Sequence, residues 1–397
     1  MKSFRTVLFW IHLTAGAAAG IVIFIMSVTG VALTYEKQVI EWADRQAWTA
    51  PAGASVPEHL APQALLASAA AKSGTSAIAI TMRADALAPA TVTLEGNKAL
   101  LVDPYSGMVI GEPPAAIRSF FRTMTAWHRY IALEGASRAT GKFVTGVANL
   151  GFLFLVISGL YLWFPRVWSW LQFRNVLWFR TGVSSKARDF NWHNTIGFWS
   201  CVPLAIIVAG VVPISFAWGN DLVYRLAGET PPPRAAAAAP ARAAEAQPQT
   251  VVGDGLNASW AAAIEAVPAW RTITSRLATS SKAPIVLTVD EGYGGQPQKR
   301  HTMTFDRAAI LSDRASGAVI KNETFADLTP GRRARSWLRF AHTGEFYGIA
   351  GQTIAGLASA GGAFLVYTGL ALAIRRLLSF VKRTRQDVDA VERQRAA

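Results

Sequence analysis

Residues 9–33 read FWIHLTAGAAAGIVIFIMSVTGVAL, a run with no Asp, Glu, Lys or Arg. As a helix rising about 1.5 Å per residue, it is long enough to cross roughly 30 Å of hydrocarbon. One residue in it stands out. His12 lies in a stretch otherwise apolar or small, and an ionisable side chain inside a membrane helix is costly and marks a functional site by default. A single histidine can also be a hydrogen-bonded structural residue. The choice depends on what the rest of the chain supplies.

The 397 residues are 51% hydrophobic and only 16% charged, with 14 Trp, which is too apolar for an ordinary soluble enzyme. Three further segments, 143–164, 192–218 and 351–374, are long and apolar enough to span a membrane. The first span follows Lys2 and Arg5 as a signal peptide would. Its apolar run is about twice the usual 7–15 residues and has no clear cleavage site, so it reads as an uncleaved anchor. The single cysteine, Cys201, excludes an intramolecular disulfide framework, a Cys-ligated zinc or iron–sulfur site and C-x-x-C-H haem attachment.

The net charge of +14 could indicate a nucleic-acid binder, but its distribution argues against one. Residues 1–6, 165–190 and 375–397 hold fourteen Lys or Arg against four Asp or Glu, whereas residues 34–120 hold six against eight. The excess lies beside the spans, as the positive-inside rule expects of cytoplasmic segments. Both termini are therefore expected inside and the two long inserts outside, which for a bacterial inner (cytoplasmic) membrane is the periplasm.

The inserts share an order of elements. In the first, PEHLAPQALLASAAAKSG (57–74) is helix-like, and SAIAITMRA (76–84), ATVTLEG (90–96) and KALLVDPYSGMVIGE (98–112) alternate like strands. In the second, NASWAAAIEAVPAW (257–270) is followed by strand-like RTITSRLATS (271–280), APIVLTVDEG (283–292) and HTMTFDRAAILSDRASGAVIKNE (301–323). ETPPPRAAAAAPARAAEAQPQT (229–250) reads as a flexible linker. The likeness continues in the spans: WIHLTAG (10–16) matches NWHNTIG (191–197), and FRTMTAWHRYIALEG (121–135) resembles WLRFAHTGEFYGIAG (337–351). The expected fold is an α-helical integral membrane protein. A parallel two-fold repeat forms a four-helix transmembrane bundle and carries two small periplasmic α+β modules. The expected boundaries are 1–35 for membrane helix one, 36–120 for module one, and 121–165 for an outer histidine segment with helix two. A cytoplasmic basic loop (166–190) precedes helix three (191–219). The linker (228–250), module two (251–330), an outer histidine segment with helix four (331–376) and a basic cytoplasmic tail (377–397) complete the chain.

This topology sorts four of the six histidines into two layers. His12 and His193 start two outward-running helices, and His128 and His342 precede two inward-running ones. A haem b needs two imidazoles from facing helices and room for a flat macrocycle. Gly16 and Gly197, four residues after the inner histidines, share their helical face and could admit a ring. The same glycines could simply serve helix packing. Zinc or copper is a further possibility for these histidines, but each layer has only two, and no Asp, Glu or Cys stands beside the inner ones in sequence. Arg122 and Arg129 flank His128, and Arg335 and Arg339 flank His342. They either snorkel to lipid headgroups or pair with haem propionates or an anionic iron chelate. Trp10, Trp163, Trp192 and Trp218 read as an interfacial aromatic belt.

LVDPYSGMVIGE (101–112) and LSDRASGAVIKNE (311–323) are similar to the D-x-x-[ST]-G-x-[VI] end of PepSY modules. Together with the four histidine motifs they resemble the PepSY-associated transmembrane proteins, a family that includes iron-regulated inner-membrane proteins and di-haem reductases of ferric siderophores. The resemblance implies two b haems with His12, His193, His128 and His342 as axial ligands. It also implies an oxidoreductase activity, electron delivery to a ferric siderophore or other ferric chelate on the periplasmic side. No nucleotide-binding glycine motif is present, because GYGGQP (292–297) lacks the spacing and the following helix. The donor is then a membrane quinol or a cytoplasmic reductase. PepSY modules are also associated with peptidase inhibition, so the alternative is a membrane sensor or peptidase-regulatory chaperone whose histidines are structural.

Overall fold

The computed structural model describes residues 2–48, 58–164, 169–233, 255–278, 280, 283–292, 295–311 and 319–396. The first half runs α1 (Lys2–Leu33), α2 (Glu36–Gln46), α3 (Pro62–Ser73), β1 (Ala77–Arg83), β2 (Ala90–Leu94), β3 (Ala99–Val102), β4 (Val109–Gly111), α4 (Ala115–Tyr130) and α5 (Arg138–Trp163). A short α6 (Trp170–Leu177) leads to the second half: α7 (Ser185–Ser215), α8 (Ala217–Leu226), α9 (Leu256–Ala266), β5 (Thr272–Arg276), β6 (Ile285–Asp290), β7 (Arg300–Phe305), α10 (Arg307–Leu311), β8 (Val319–Glu323), α11 (Pro330–His342) and α12 (Gly348–Ala396). Most of the linker, and residues 312–318 of the second PepSY-like tail, lie outside the described residues.

Among the described residues four helices are long and apolar enough to cross a membrane: Ser3–Leu33, Gly135–Trp163, Ser185–Ser215 and Glu345–Thr384. They pack in a ring in which α1 and α7 face each other diagonally and α5 and α12 fill the sides. Small residues set the spacing. A Cβ on Gly362 of α12 would meet Ser27 of α1 at 3.0 Å, Phe152 of α5 at 3.3 Å and Leu204 of α7 at 3.6 Å. All four helices therefore converge at mid-bundle, around Phe152 and Leu204, because α12 has no side chain there. The basic tail continues α12 as helix to Ala396.

The two inserts do not form separate modules. Their strands join in one antiparallel sheet, ordered β4-β3-β2-β1-β5-β6-β7-β8. The junction pairs Ala79 with Arg276 through to Arg83 with Thr272, and the Thr81 and Thr274 hydroxyls lie 3.1 Å apart across it. An unpaired strand edge exposes a row of backbone donors and acceptors, and here each insert supplies the other's missing neighbour. One core then serves both: Leu65, Ile80, Val92, Trp260, Leu287 and Phe305 belong to a single buried cluster beneath α3 and α9. The sequence pattern of each insert carries no signal that its first strand has a partner in the other.

Charged groups fix the sheet to the helices. Asp44 of α2 is 1% exposed and takes a bidentate pair from Arg118 of α4 (2.8 and 2.9 Å), with Arg83 of β1 at 4.0 Å. Lys37 pairs with Glu345 at 2.7 Å, just before α12. At the opposite end Asp189 of α7 pairs with Arg375 of α12 at 2.8 Å, and Arg376 lies over the Trp10 ring. Removing one partner from a buried pair strands the other charge. Asp44→Ala is expected to cost about 3 kcal/mol. Asp44→Ala combined with Arg118→Met should recover most of that loss, as thermal unfolding in detergent can measure. Equal losses in the single and double variants would contradict a buried pair.

Candidate functional site

The site is built from hydrogen bonds between helices. His12 of α1 lies 2.8 Å through Nδ1 from Ser158 Oγ of α5, and His193 of α7 lies 2.9 Å through Nδ1 from Thr368 Oγ1 of α12. His128, near the end of α4, reaches Thr29 Oγ1 of α1 at 3.0 Å. His342, the last residue of α11, reaches the Ile207 carbonyl of α7 at 2.9 Å. Each histidine is thus held by a helix other than its own.

The direction of these bonds follows from the partners. Ser158 donates its one hydroxyl proton to the Phe154 carbonyl (2.6 Å), Thr368 to Phe364 (2.8 Å) and Thr29 to Ile25 (2.6 Å), the back-bonding expected of a hydroxyl within a helix. A hydroxyl committed in this way has only a lone pair for the imidazole, and a carbonyl can only accept. All four histidines therefore donate from Nδ1 and carry their free lone pair on Nε2. A metal-ligating histidine is held in this way, with one ring nitrogen donating to a fixed acceptor and the other available to coordinate.

The outer rings, His128 and His342, come together with centroids 6.3 Å apart and a 46° tilt. Both lie outside the four spans. Burial first, then the nearness of His342, pushes His128 down to about 4, and burial pushes His342 below its ordinary value. The end of α4 that carries His128 is closed by Ile131 and Ala132 with φ of +52° and +54°, a left-handed pair without glycine. A β-branched residue rarely adopts that conformation, and such strain persists only where the surroundings impose it. Here a Cβ on Gly141 of α5 would meet the Tyr130 carbonyl at 2.1 Å, so α5 presses against this turn.

Glycines also bound the rings. A Cβ on Gly159 would come within 3.3 Å of His12 Cε1, on Gly369 within 3.4 Å of His193 Cε1, and on Gly30 within 3.4 Å of His128 Cε1. These glycines directly follow Ser158, Thr368 and Thr29, so a Ser/Thr-Gly dipeptide serves three of the four histidines. Sequence reading passed over that signal, although all three dipeptides lie within apolar spans. Gly16 and Gly197 instead face Leu155 and Leu365 on neighbouring helices, at 3.7 and 3.5 Å.

The arginines differ in placement. Arg122 and Arg129 are exposed, with Arg129 5.5 Å from the Tyr130 ring centre. Arg335 donates from Nε to Asn220 Oδ1 at 2.9 Å, and Arg339 lies near the Phe340 ring. His59 packs against Tyr105 and Trp270, and His301 lies 3.4 Å from Glu291 in the sheet. Among the described residues no three or more His, Cys, Asp or Glu side chains gather to hold a bare metal ion.

A ring of four apolar helices, with two oriented histidines on the spans, two on the helices packed against their ends, and one sheet outside the spans, defines a membrane protein. A family profile, the PepSY-associated TM region, matches residues 9–376, and the chain belongs to that family. Comparison with curated proteins returned no significant match.

Glycine spacing at this site can be tested directly. At Gly210 of α7 a Cβ would meet the Leu338 carbonyl at 2.5 Å and His342 Cβ at 3.2 Å. Gly210→Ala is expected to cost about 1–3 kcal/mol by overpacking, whereas Gly16→Ala should be neutral within about 0.5 kcal/mol. Thermal unfolding of both variants checks the contrast. A tolerated alanine at position 210 would contradict the close packing of α7 on α11.

Proposed function

We propose that the chain is an inner-membrane di-haem b electron-transfer protein that reduces ferric chelates, including ferric siderophores, on the periplasmic side. The observation that carries this reading is the common orientation of His12, His193, His128 and His342, each donating from Nδ1 and leaving Nε2 free. A structural histidine needs only its one hydrogen bond, and four at related positions with the same nitrogen left free call for a shared use. The outer spacing also fits. Two imidazole nitrogens about 2 Å from one metal put ring centres roughly 6 Å apart, close to the 6.3 Å between His128 and His342.

On this reading His12 and His193 hold one haem and His128 and His342 the other. A haem bound by two histidines supplies a one-electron couple. The chain's own residues do the rest. Ser158, Thr368, Thr29 and the Ile207 carbonyl fix each ligand's tautomer and raise its basicity. The seventeen residues of α1 from His12 to Thr29 correspond to about 25 Å of rise, and the fourteen of α7 from His193 to Ile207 to about 21 Å. The two pairs therefore divide the membrane between them. Phe152 and Leu204, packed at Gly362, are apolar side chains between the layers. Haems held by His12 with His193 and by His128 with His342 would supply one-electron couples near the two sides, suited to a quinol or cytoplasmic reductase as donor and to one-electron reduction of a ferric chelate outside. The positive charge of Arg122, Arg129, Arg335 and Arg339 favours propionates or an anionic chelate there. The positive-inside distribution supports cytoplasmic termini and a periplasmic sheet, and the matching order of elements in the two halves supports a parallel repeat.

His12→Ala and His193→Ala are expected to remove the same b-type spectrum and leave the other, and His128→Ala and His342→Ala the converse. Loss of different spectra within one pair would contradict the assignment. Thr368→Val, which removes the hydroxyl acceptor beside His193 Nδ1, should raise the inner potential in a redox titration and leave the outer potential in place. An unchanged inner potential would deny Thr368 a tuning role.

A further inference from the structure

We propose that the groove between α8 and α11 is a binding site for an oxyanion group, a carboxylate or a phosphate. The groove has a volume of about 430 Å³ and is lined by Tyr224, Leu328, Arg332, Arg335, Ser336 and Arg339. On α11 the positions 332, 335, 336 and 339 follow helical spacing and share one face, so three guanidinium groups and a hydroxyl line one wall. Tyr224 comes from α8 opposite, and its side chain is largely buried.

The charges in the groove are unevenly answered. Arg332 is bound by both oxygens of Glu323, each at 2.9 Å. Arg335 spends only its Nε, on the neutral amide of Asn220. Among the described residues neither Arg335 nor Arg339 forms an ion pair with a carboxylate. Two like charges one helical turn apart, one of them half-buried, are unfavourable unless an anion joins them. Burial first, then the charge of Arg339, pushes the Arg335 guanidinium below its ordinary value. An oxyanion shared by two guanidinium groups is the strong form of charge-assisted hydrogen bonding.

Comparing the two halves separates this groove from the requirements of the fold. Setting His128 against His342 places Arg118 opposite Arg332, Phe121 opposite Arg335 and Thr125 opposite Arg339. Setting His12 against His193 places Val39 opposite Asn220 and Ala43 opposite Tyr224. Arg118 and Arg332 are alike, each held by a carboxylate. At the other positions the first half closes the junction with Ala43 and Phe121, 3% and 4% exposed. The second half has a phenol, an amide and two arginines in the same places. The packing of the first half shows that an apolar junction suffices there, so the second half's arginines answer to something else.

Two sources offer this chemistry: a soluble carboxylate or phosphate, including one carried by a chelate, and the phosphate of a lipid headgroup. The test uses the full chain in neutral detergent at low ionic strength, with citrate and inorganic phosphate as calorimetric probes. Native mass spectrometry provides the second arm, comparing retained phosphatidylglycerol with phosphatidylcholine. Arg335→Gln combined with Arg339→Gln should lower affinity for a soluble probe, or retention of phosphatidylglycerol, at least tenfold. The control, Lys72→Gln with Lys98→Gln at two exposed positions of the first insert, should leave both unchanged. Loss in the first arm assigns a soluble oxyanion and loss in the second a headgroup. Arg339→Gln alone, at an exposed position, should give a partial loss and guards against misfolding of the double variant. Wild-type chain that binds no probe, or groove variants that bind as wild type does, would overturn the proposal. Neither arm depends on haem, so this result and the fate of the haem reading are independent.

Discussion

An imidazole buried among apolar helices has one N–H that must find an acceptor, and here the acceptor always belongs to a different helix. Ser158 and Thr368 meet this requirement for the inner histidines, Thr29 and the Ile207 carbonyl for the outer ones. The bonds do two things at once. They tie α1 to α5, α7 to α12, α4 to α1 and α11 to α7. They also leave the same nitrogen of every ring free, which is what makes the four residues a set. A buried polar group without a partner costs on the order of 1–3 kcal/mol, so these contacts both stabilise the bundle and orient its site.

The sheet is connected to the outer pair through the same helices. Arg118 of α4 is clamped by Asp44 ten residues before His128, with Arg83 of β1 near the same carboxylate. Arg332 of α11 is clamped by Glu323 at the end of β8 ten residues before His342. The start of α11 is pinned again by Glu229, which accepts from the Gly331 amide and the Thr329 hydroxyl. Helices that carry the outer histidines are therefore fixed at their far ends by carboxylates, two of which belong to or touch the one continuous sheet.

Much of this was legible in the chain. The apolar runs mark the four membrane helices, because hydrocarbon tolerates backbone only where its own hydrogen bonds are closed. The resemblance of the histidine motifs to the PepSY-associated family is matched by the family assignment across residues 9–376. The joined sheet was not legible: an edge strand reads the same whether its neighbour is solvent or a strand 193 positions on, as Thr274 is from Thr81. The hydroxyl acceptors could be read only in part. Three stand beside glycine in apolar spans, but a backbone carbonyl such as that of Ile207 leaves no mark on the sequence at all. The groove arginines were visible as residues flanking His342. Their separation from those flanking His128 needed the packing of Ala43 and Phe121.

The proposed function requires that His12 with His193 and His128 with His342 each hold a b-type haem. The most direct measurement is the ratio of haem to polypeptide in chain purified from membranes without added haem, with haem quantified as its pyridine complex and protein by amino-acid analysis. The account predicts about two b haems per chain, in line with two imidazoles per iron. Chain that is fully folded yet carries none, or carries only one, would contradict it.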